Sequence, residues 1–258
     1  MQLYFKEFGQ GEPLVILHGL FGSSDNWFSI APKLAGQFHV FTLDLRNHGQ
    51  SPHSDEMSYP VMARDVVEFL DGQGLASANV LGHSMGGKTA MQLALDFPER
   101  VERLIVADIA PRAYALEFEP YFQAMLALDL KKFKSRMQVE EALASSVPDL
   151  VIRRFLLKNL GHNPDGSYFW RINLPGIHKN YPQNCEAMTS EKQFDKPVLF
   201  LSGGKSNYVS EADHPQILKL FPRAQFEVIR GAGHWVHADA PGEFVEEVRS
   251  FLTTDGHR

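Results

Sequence analysis

The chain has 258 residues, 44% hydrophobic and 22% charged, the composition of an ordinary globular protein and not of a disordered one. Its formal net charge of -6 offers no broad positive field to a phosphate backbone, so nucleic acid is not an expected partner. The single cysteine, Cys185, excludes an intrachain disulfide and a multi-cysteine zinc site and fits a reducing compartment.

In chain order, "LYFKEF" reads as an opening strand and "PLVILHG" as a short apolar strand buried on both faces of a parallel sheet. "FHVFTLDLR" is the next strand. "YPVMARDVVEFL" has near-helical apolar spacing and stops at "DGQG". "ANVLGHS" reads as a strand, "MGGKTAMQLALDF" as a helix, and "VERLIVADIAP" as a strand ended by Pro111. This alternation predicts an α/β fold with a doubly wound, mostly parallel sheet. From Pro111 to Glu191 the alternation stops; helical pattern dominates, broken at "GHNPDGS", and a helical insertion is expected with no strand of its own. It resumes with "PVLFLSGG", the helix "HPQILKLF", the strand "AQFEVIRGAG" and the helix "PGEFVEEVRSFL". The expected organisation is a core from 1–110 and 192–258 with the insertion at 111–191. The amino terminus lacks signal or transit character, and no apolar run approaches the ~18 residues of a membrane span. A cytoplasmic protein is expected, and nothing specifies an oligomeric state. The basic run "LKKFKSR" reads as a solvated helix face.

The strongest chemical signal is "GHSMGG", Gly82 to Gly87, between an apolar strand and a helix. In G-x-S-x-G the turn is so sharp that flanking side chains would collide; Gly82 and Gly86 permit it and Ser84 is pushed above the sheet as a candidate nucleophile. A serine hydroxyl needs a base, and His234 in "GAGHWVH", in a Gly-flanked loop after the last strand, is the candidate; His237 is its competitor among 11 histidines. His234 and His237 have a spacing open to a metal, but no zinc motif accompanies them, and neither metal nor cofactor is expected. The amide of Met85, opening the helix, and that of Leu20 in "HGLFGS" are candidate donors to an oxyanion; an ordinary strand-to-loop turn is the alternative for Leu20.

Together "HGLFGS", "DLRNHGQS", "GHSMGG", "ADIAP" and "GAGHWVH" resemble the α/β-hydrolase superfamily and, within it, the YbfF-type esterases. The resemblance covers essentially the whole chain. It implies that the insertion is a cap over the active site, and that carboxylic esters or thioesters are hydrolysed through an acyl-serine. Ser84 would be the nucleophile, His234 base and then acid, and Leu20 and Met85 the oxyanion donors.

The imidazole needs a carboxylate on its other nitrogen to fix its tautomer. In most of the superfamily that acid follows the strand equivalent to "PVLFLSGG", where this chain has Ser206. Asp108, ending "IVAD", lies on the strand expected between that one and the nucleophile's strand. The order Ser84, Asp108, His234 is preserved. Asp108 also reads as a helix N-cap, and Asp213, Glu211 or no acid at all are alternatives. If Asp108 is the acid, Ser206 is expected to donate its hydroxyl to that carboxylate. Phe21, Trp170, Tyr208 and Trp235 are candidate substrate contacts, each with plain packing as its alternative. A small-molecule acyl ester or thioester is the expected substrate; carbon-carbon bond hydrolysis and a non-catalytic binding role are the alternatives.

Overall fold

A computed structural model describes residues 1–254. The strands in chain order are β1 (Phe5–Phe8), β2 (Glu12–Leu17), β3 (Phe38–Leu43), β4 (Ala78–His83), β5 (Val101–Ala107), β6 (Leu160–His162), β7 (Tyr168–Trp170), β8 (Val198–Gly203) and β9 (Ala224–Ile229). The helices are α1 (Ala31–Leu34), α2 (Tyr59–Gly72), α3 (Met85–Asp96), α4 (Glu119–Leu126), α5 (Arg136–Leu143), α6 (Leu150–Leu156), α7 (Leu174–Asn184), α8 (His214–Leu220), α9 (Val236–Asp239) and α10 (Pro241–Thr253).

Seven strands make one sheet in the order β1-β3-β2-β4-β5-β8-β9, with β1 antiparallel to β3 and every other pair parallel. The unbroken apolar runs follow from burial on both faces. Along β2, Val15 and Leu17 pack into a core with residues of α2 and α3, while Leu14 and Ile16 face a second core with residues of α1 and α10. β5 lies between β4 and β8, with His83 opposite Ala107 and Ala107 opposite Leu201. The first residue past β4 and the first past β5, Ser84 and Asp108, are thereby brought to the same edge of the sheet.

Residues 111–191 hold α4 to α7 and also a two-stranded antiparallel hairpin, β6 with β7, which the helical reading of this segment did not anticipate. "GHNPDGS" supplies the end of β6 and the turn at residues 163–167, with Gly166 at φ 88°. Each strand has only three residues, too few for a period-two pattern to stand out from its helical surroundings. The insertion is tied to the core by polar contacts: Asn173 N–H donates to the carbonyl of Asn47 in the loop after β3 (2.9 Å), and the hydroxyl of Tyr59 at the start of α2 donates to the Asn184 carbonyl (2.9 Å).

Candidate active site

Ser84 stands at the β4–α3 turn with φ 53° and ψ -119°, a conformation L-residues rarely take. Glycine is required on both sides. A Cβ on Gly82 would lie 2.1 Å from the Gly86 carbonyl oxygen, and one on Gly86 would lie 2.5 Å from that of Leu17. Among the described residues, four non-glycine residues have positive φ: Phe21, Asn47, Ser84 and Asp108. Ser84 and Asp108 directly follow β4 and β5, and Phe21 and Asn47 lie four residues past β2 and β3, so the backbone strain gathers in the loops at one edge of the sheet, as at a functional site.

The Ser84 hydroxyl is 3.1 Å from His234 Nε2, and His234 Nδ1 is 2.8 Å from Asp108 Oδ2. An ionised carboxylate only accepts, so Nδ1 carries the proton and Nε2 is left to accept from Ser84. Asp108 is 0% exposed. Its carboxylate also accepts from the Gly203 amide (2.9 Å) and the Ser206 hydroxyl, and Ser206 Oγ in turn accepts from the Tyr208 amide (3.2 Å). Three donors therefore converge on the carboxylate, which caps no helix; the N-cap of α4 is Phe118. Asp213 is engaged elsewhere, accepting from the Ser210 amide at 2.8 Å and pairing with Arg112 at 3.1 Å.

His237 does not reach the hydroxyl. Its ring is buried and stacked on Trp27, centroids 4.4 Å apart, and burial lowers its pKa to about 3. His83, beside the serine, donates from Nε2 to the His234 carbonyl at 2.8 Å and so fastens the loop that carries that imidazole. Burial, followed by the neighbouring His234 and His237, pushes the His83 pKa well below its ordinary value, so it serves as a neutral donor.

The amides of Leu20 and Met85 donate to no other protein group among the described residues. Ser84 and Leu20 border two lobes of open space. One, about 520 Å³, is walled chiefly by apolar and aromatic side chains including Met85, Ile109, Tyr114, Ile177, Tyr181 and Tyr208. The other, about 410 Å³, is lined by His18, Trp27, Phe155, His234 and Trp235 among others. Tyr208 also stacks on the His234 ring at 3.8 Å. Tyr208 and Trp235 are thus at the site, whereas Phe21 and Trp170 line neither lobe. Phe21 is buried against Phe122 with centroids 4.8 Å apart, and Trp170 donates from Nε1 to the Met125 carbonyl at 3.3 Å within the insertion. An aromatic residue read from sequence does not declare which cavity it faces.

Lys88, one helical turn after Ser84, carries no sequence motif and reads as an ordinary helix lysine. It is 1% exposed. Its ammonium donates to the carbonyls of Arg112 (2.9 Å) and Glu186 (2.7 Å), one near each end of the insertion, and lies 5.1 Å from the Tyr114 ring centroid. Burial lowers its pKa to about 8.

A parallel sheet whose β4 ends in this strained serine turn, with an imidazole and a buried carboxylate in line behind it, is the architecture of the serine hydrolases. The family model for the alpha/beta hydrolase fold matches residues 12–144, and the chain belongs to that family. It is 43% identical over 250 residues to the sn-1-specific diacylglycerol lipase ABHD11 of Xenopus tropicalis, across 94% of this chain and 78% of that protein. It is 38% identical over 241 residues to esterase YbfF of Escherichia coli K12, across 93% of this chain and 92% of that one. A solved marine microorganism esterase superposes with a TM-score of 0.95 at 43% identity, covering 97% of this chain and 99% of its own.

Proposed function

We propose that this chain hydrolyses carboxylic esters through an acyl-enzyme on Ser84. The ester-hydrolase class is that of its relatives, which bear esterase and lipase names. The observation that carries the residue roles is the line from Ser84 Oγ to His234 Nε2 (3.1 Å) and from His234 Nδ1 to Asp108 (2.8 Å), opening on two lobes.

In the proposed reaction Ser84 Oγ attacks the ester carbonyl carbon while His234 Nε2 takes its proton. The carbonyl's electron pair moves to oxygen, which the amides of Leu20 and Met85 receive. Asp108 keeps the imidazole in its accepting tautomer and balances the imidazolium. Collapse breaks the carbon–oxygen bond to the alcohol, which leaves with the proton from His234. Water then attacks the acyl-Ser84 by the same relay, and the acid departs. Ser206 orients Asp108. The aromatic lobe bordered by Tyr208 suits an acyl chain, and the lobe with Trp235 the alcohol. Residues 111–191 act as a cap between core segments 1–110 and 192–258. Thioesters fit the same chemistry, since only the leaving group differs.

Among the described residues no helix is long and apolar enough to cross a membrane. The unpaired, half-buried Cys185 supports a reducing compartment such as the cytoplasm. The test is turnover of p-nitrophenyl acyl esters of graded length, beside acyl-CoAs and a vinylogous diketone, with Ser84→Ala as control. Esters hydrolysed by the wild type and not by Ser84→Ala are expected. Preference for the diketone would make this a carbon-carbon hydrolase, and equal activity of both proteins would leave a binding role.

A further inference from the structure

The loop that presents Leu20 has an unfavourable backbone conformation at Phe21, and a side chain from the insertion is hydrogen-bonded to it. Residues Gly19 to Gly22 form a turn closed by the Gly22 amide on the Gly19 carbonyl at 2.9 Å. Its third residue, Phe21, has φ 60°, while Leu20 is not among the positive-φ residues. That is the type II pattern, in which the third position calls for glycine or asparagine. A phenylalanine there is strained and persists only where its surroundings over-determine it.

Those surroundings come from 138 residues along the chain. Asn159, 4% exposed and just before β6, donates from Nδ2 to the Phe21 carbonyl at 2.8 Å and to the Leu156 carbonyl at 3.2 Å. Two carbonyl partners on one atom fix that atom as nitrogen. Asn159 is itself anchored, its carbonyl accepting from the Arg171 amide at 2.8 Å. The Phe21 ring is meanwhile clasped by Phe122 of α4. If the Asn159 bond is lost, Phe21 can relax toward negative φ, and the Gly19–Gly22 turn that carries the Leu20 amide changes shape with it. An oxyanion donor is effective only within about 3 Å of the charge it meets.

We propose that Asn159 is a positioning residue for the oxyanion site: through it, the insertion sets the backbone turn that aims the Leu20 amide at the transition state. The inference rests on the reading of Leu20 as an oxyanion donor. The insertion thereby acts on kcat as well as on substrate binding.

The test compares Asn159→Asp, isosteric but unable to donate, and Asn159→Ala with Leu20→Pro. Proline suits the second position of a type II turn and removes only the N–H from the backbone; Leu20→Ala reports the contribution of the side chain. Steady-state kinetics with a p-nitrophenyl ester are paired with affinity for a boronic acid that forms a tetrahedral adduct on Ser84. For the Asn159 variants kcat is expected to fall roughly 10- to 100-fold, with KM within about threefold and boronate affinity falling with kcat, against 10²- to 10³-fold for Leu20→Pro. In a Phe21→Gly background, where positive φ is unstrained, Asn159→Asp should matter less. A Leu20→Pro enzyme with wild-type kcat would remove the oxyanion reading and the inference with it. Loss in Leu20→Pro but normal kcat and boronate affinity in both Asn159 variants would overturn the role of Asn159 alone, as would a rise confined to KM.

Discussion

Replacing Asp108 by asparagine should lower kcat by ~10³ to 10⁴, equivalent to about 4 to 5.5 kcal/mol of transition-state stabilisation. The magnitude follows from which atoms hold the proton. In the wild type the carboxylate accepts from His234 Nδ1, so Nε2 is free to take the Ser84 proton. An asparagine retains the Gly203 contact by placing its carbonyl oxygen on that amide, which leaves its NH₂ facing His234 and Ser206. Nδ1 must then accept, the ring proton moves to Nε2, and the imidazole presents a donor to the serine it should deprotonate. The fold is preserved because the side chain is isosteric. The assay is kcat on a short p-nitrophenyl ester, with circular dichroism and Tm to verify folding. A folded Asp108→Asn enzyme within tenfold of wild-type kcat would refute the reasoning, most of all if Asp213→Asn were the variant that lost activity.

Ser206→Ala removes one of the three donors to Asp108 but leaves charge and tautomer intact; one neutral hydrogen bond is worth ~1 kcal/mol, so kcat should fall tenfold or less, and a variant as inactive as Ser84→Ala would contradict the supporting role. His18, His48 and His237 have pKa values lowered by burial to about 4, 3 and 3, so the unfolded chain binds more protons than the folded one below pH 6.5. Stability is therefore fully present above pH 6.5 and lost as pH falls toward 4, and a Tm level from pH 6.5 to 5 would contradict this. Lys88, with its pKa lowered by burial from 10.5 to about 8, gives the opposite end of the profile. Between pH 8 and 10.5 the unfolded lysine is charged and the folded one is not, so the wild type should gain up to about 3 kcal/mol relative to Lys88→Met; urea midpoints of the two proteins moving in parallel across that window would count against it.

The parts of the site that could be read from sequence are those in which geometry leaves few options. A strand buried on both faces must be an apolar run, and a turn as tight as the one at Ser84 must be flanked by glycine. The expectation that Asp108 reaches the His234 imidazole came from strand order, and in the structure β5 does sit between β4 and β8 with Asp108 Oδ2 2.8 Å from His234 Nδ1. The contact of Ser206 with that carboxylate then followed from the same adjacency. What escaped depended on packing between segments distant in sequence. The hairpin β6–β7 is too short to declare a period. In α7, Pro182 and a polar composition weaken the helical signal. Lys88 looks like any surface lysine until the two ends of the insertion close over it. Phe21 and Trp170 show the converse: both are aromatic, one in the loop after β2 and one at the end of β7, and neither lines either lobe.

The most direct test of the central claim is covalent. With a p-nitrophenyl ester the leaving group departs readily, so the acyl-enzyme should accumulate, and acid quenching within milliseconds followed by peptide mass mapping should find the acyl group on Ser84. Its mass is expected on the peptide containing Gly82 to Gly87 of the wild type and on no peptide of Ser84→Ala, which should also lack turnover. An acyl group on another residue, or a Ser84→Ala protein that still hydrolyses the ester at the wild-type rate, would contradict the account.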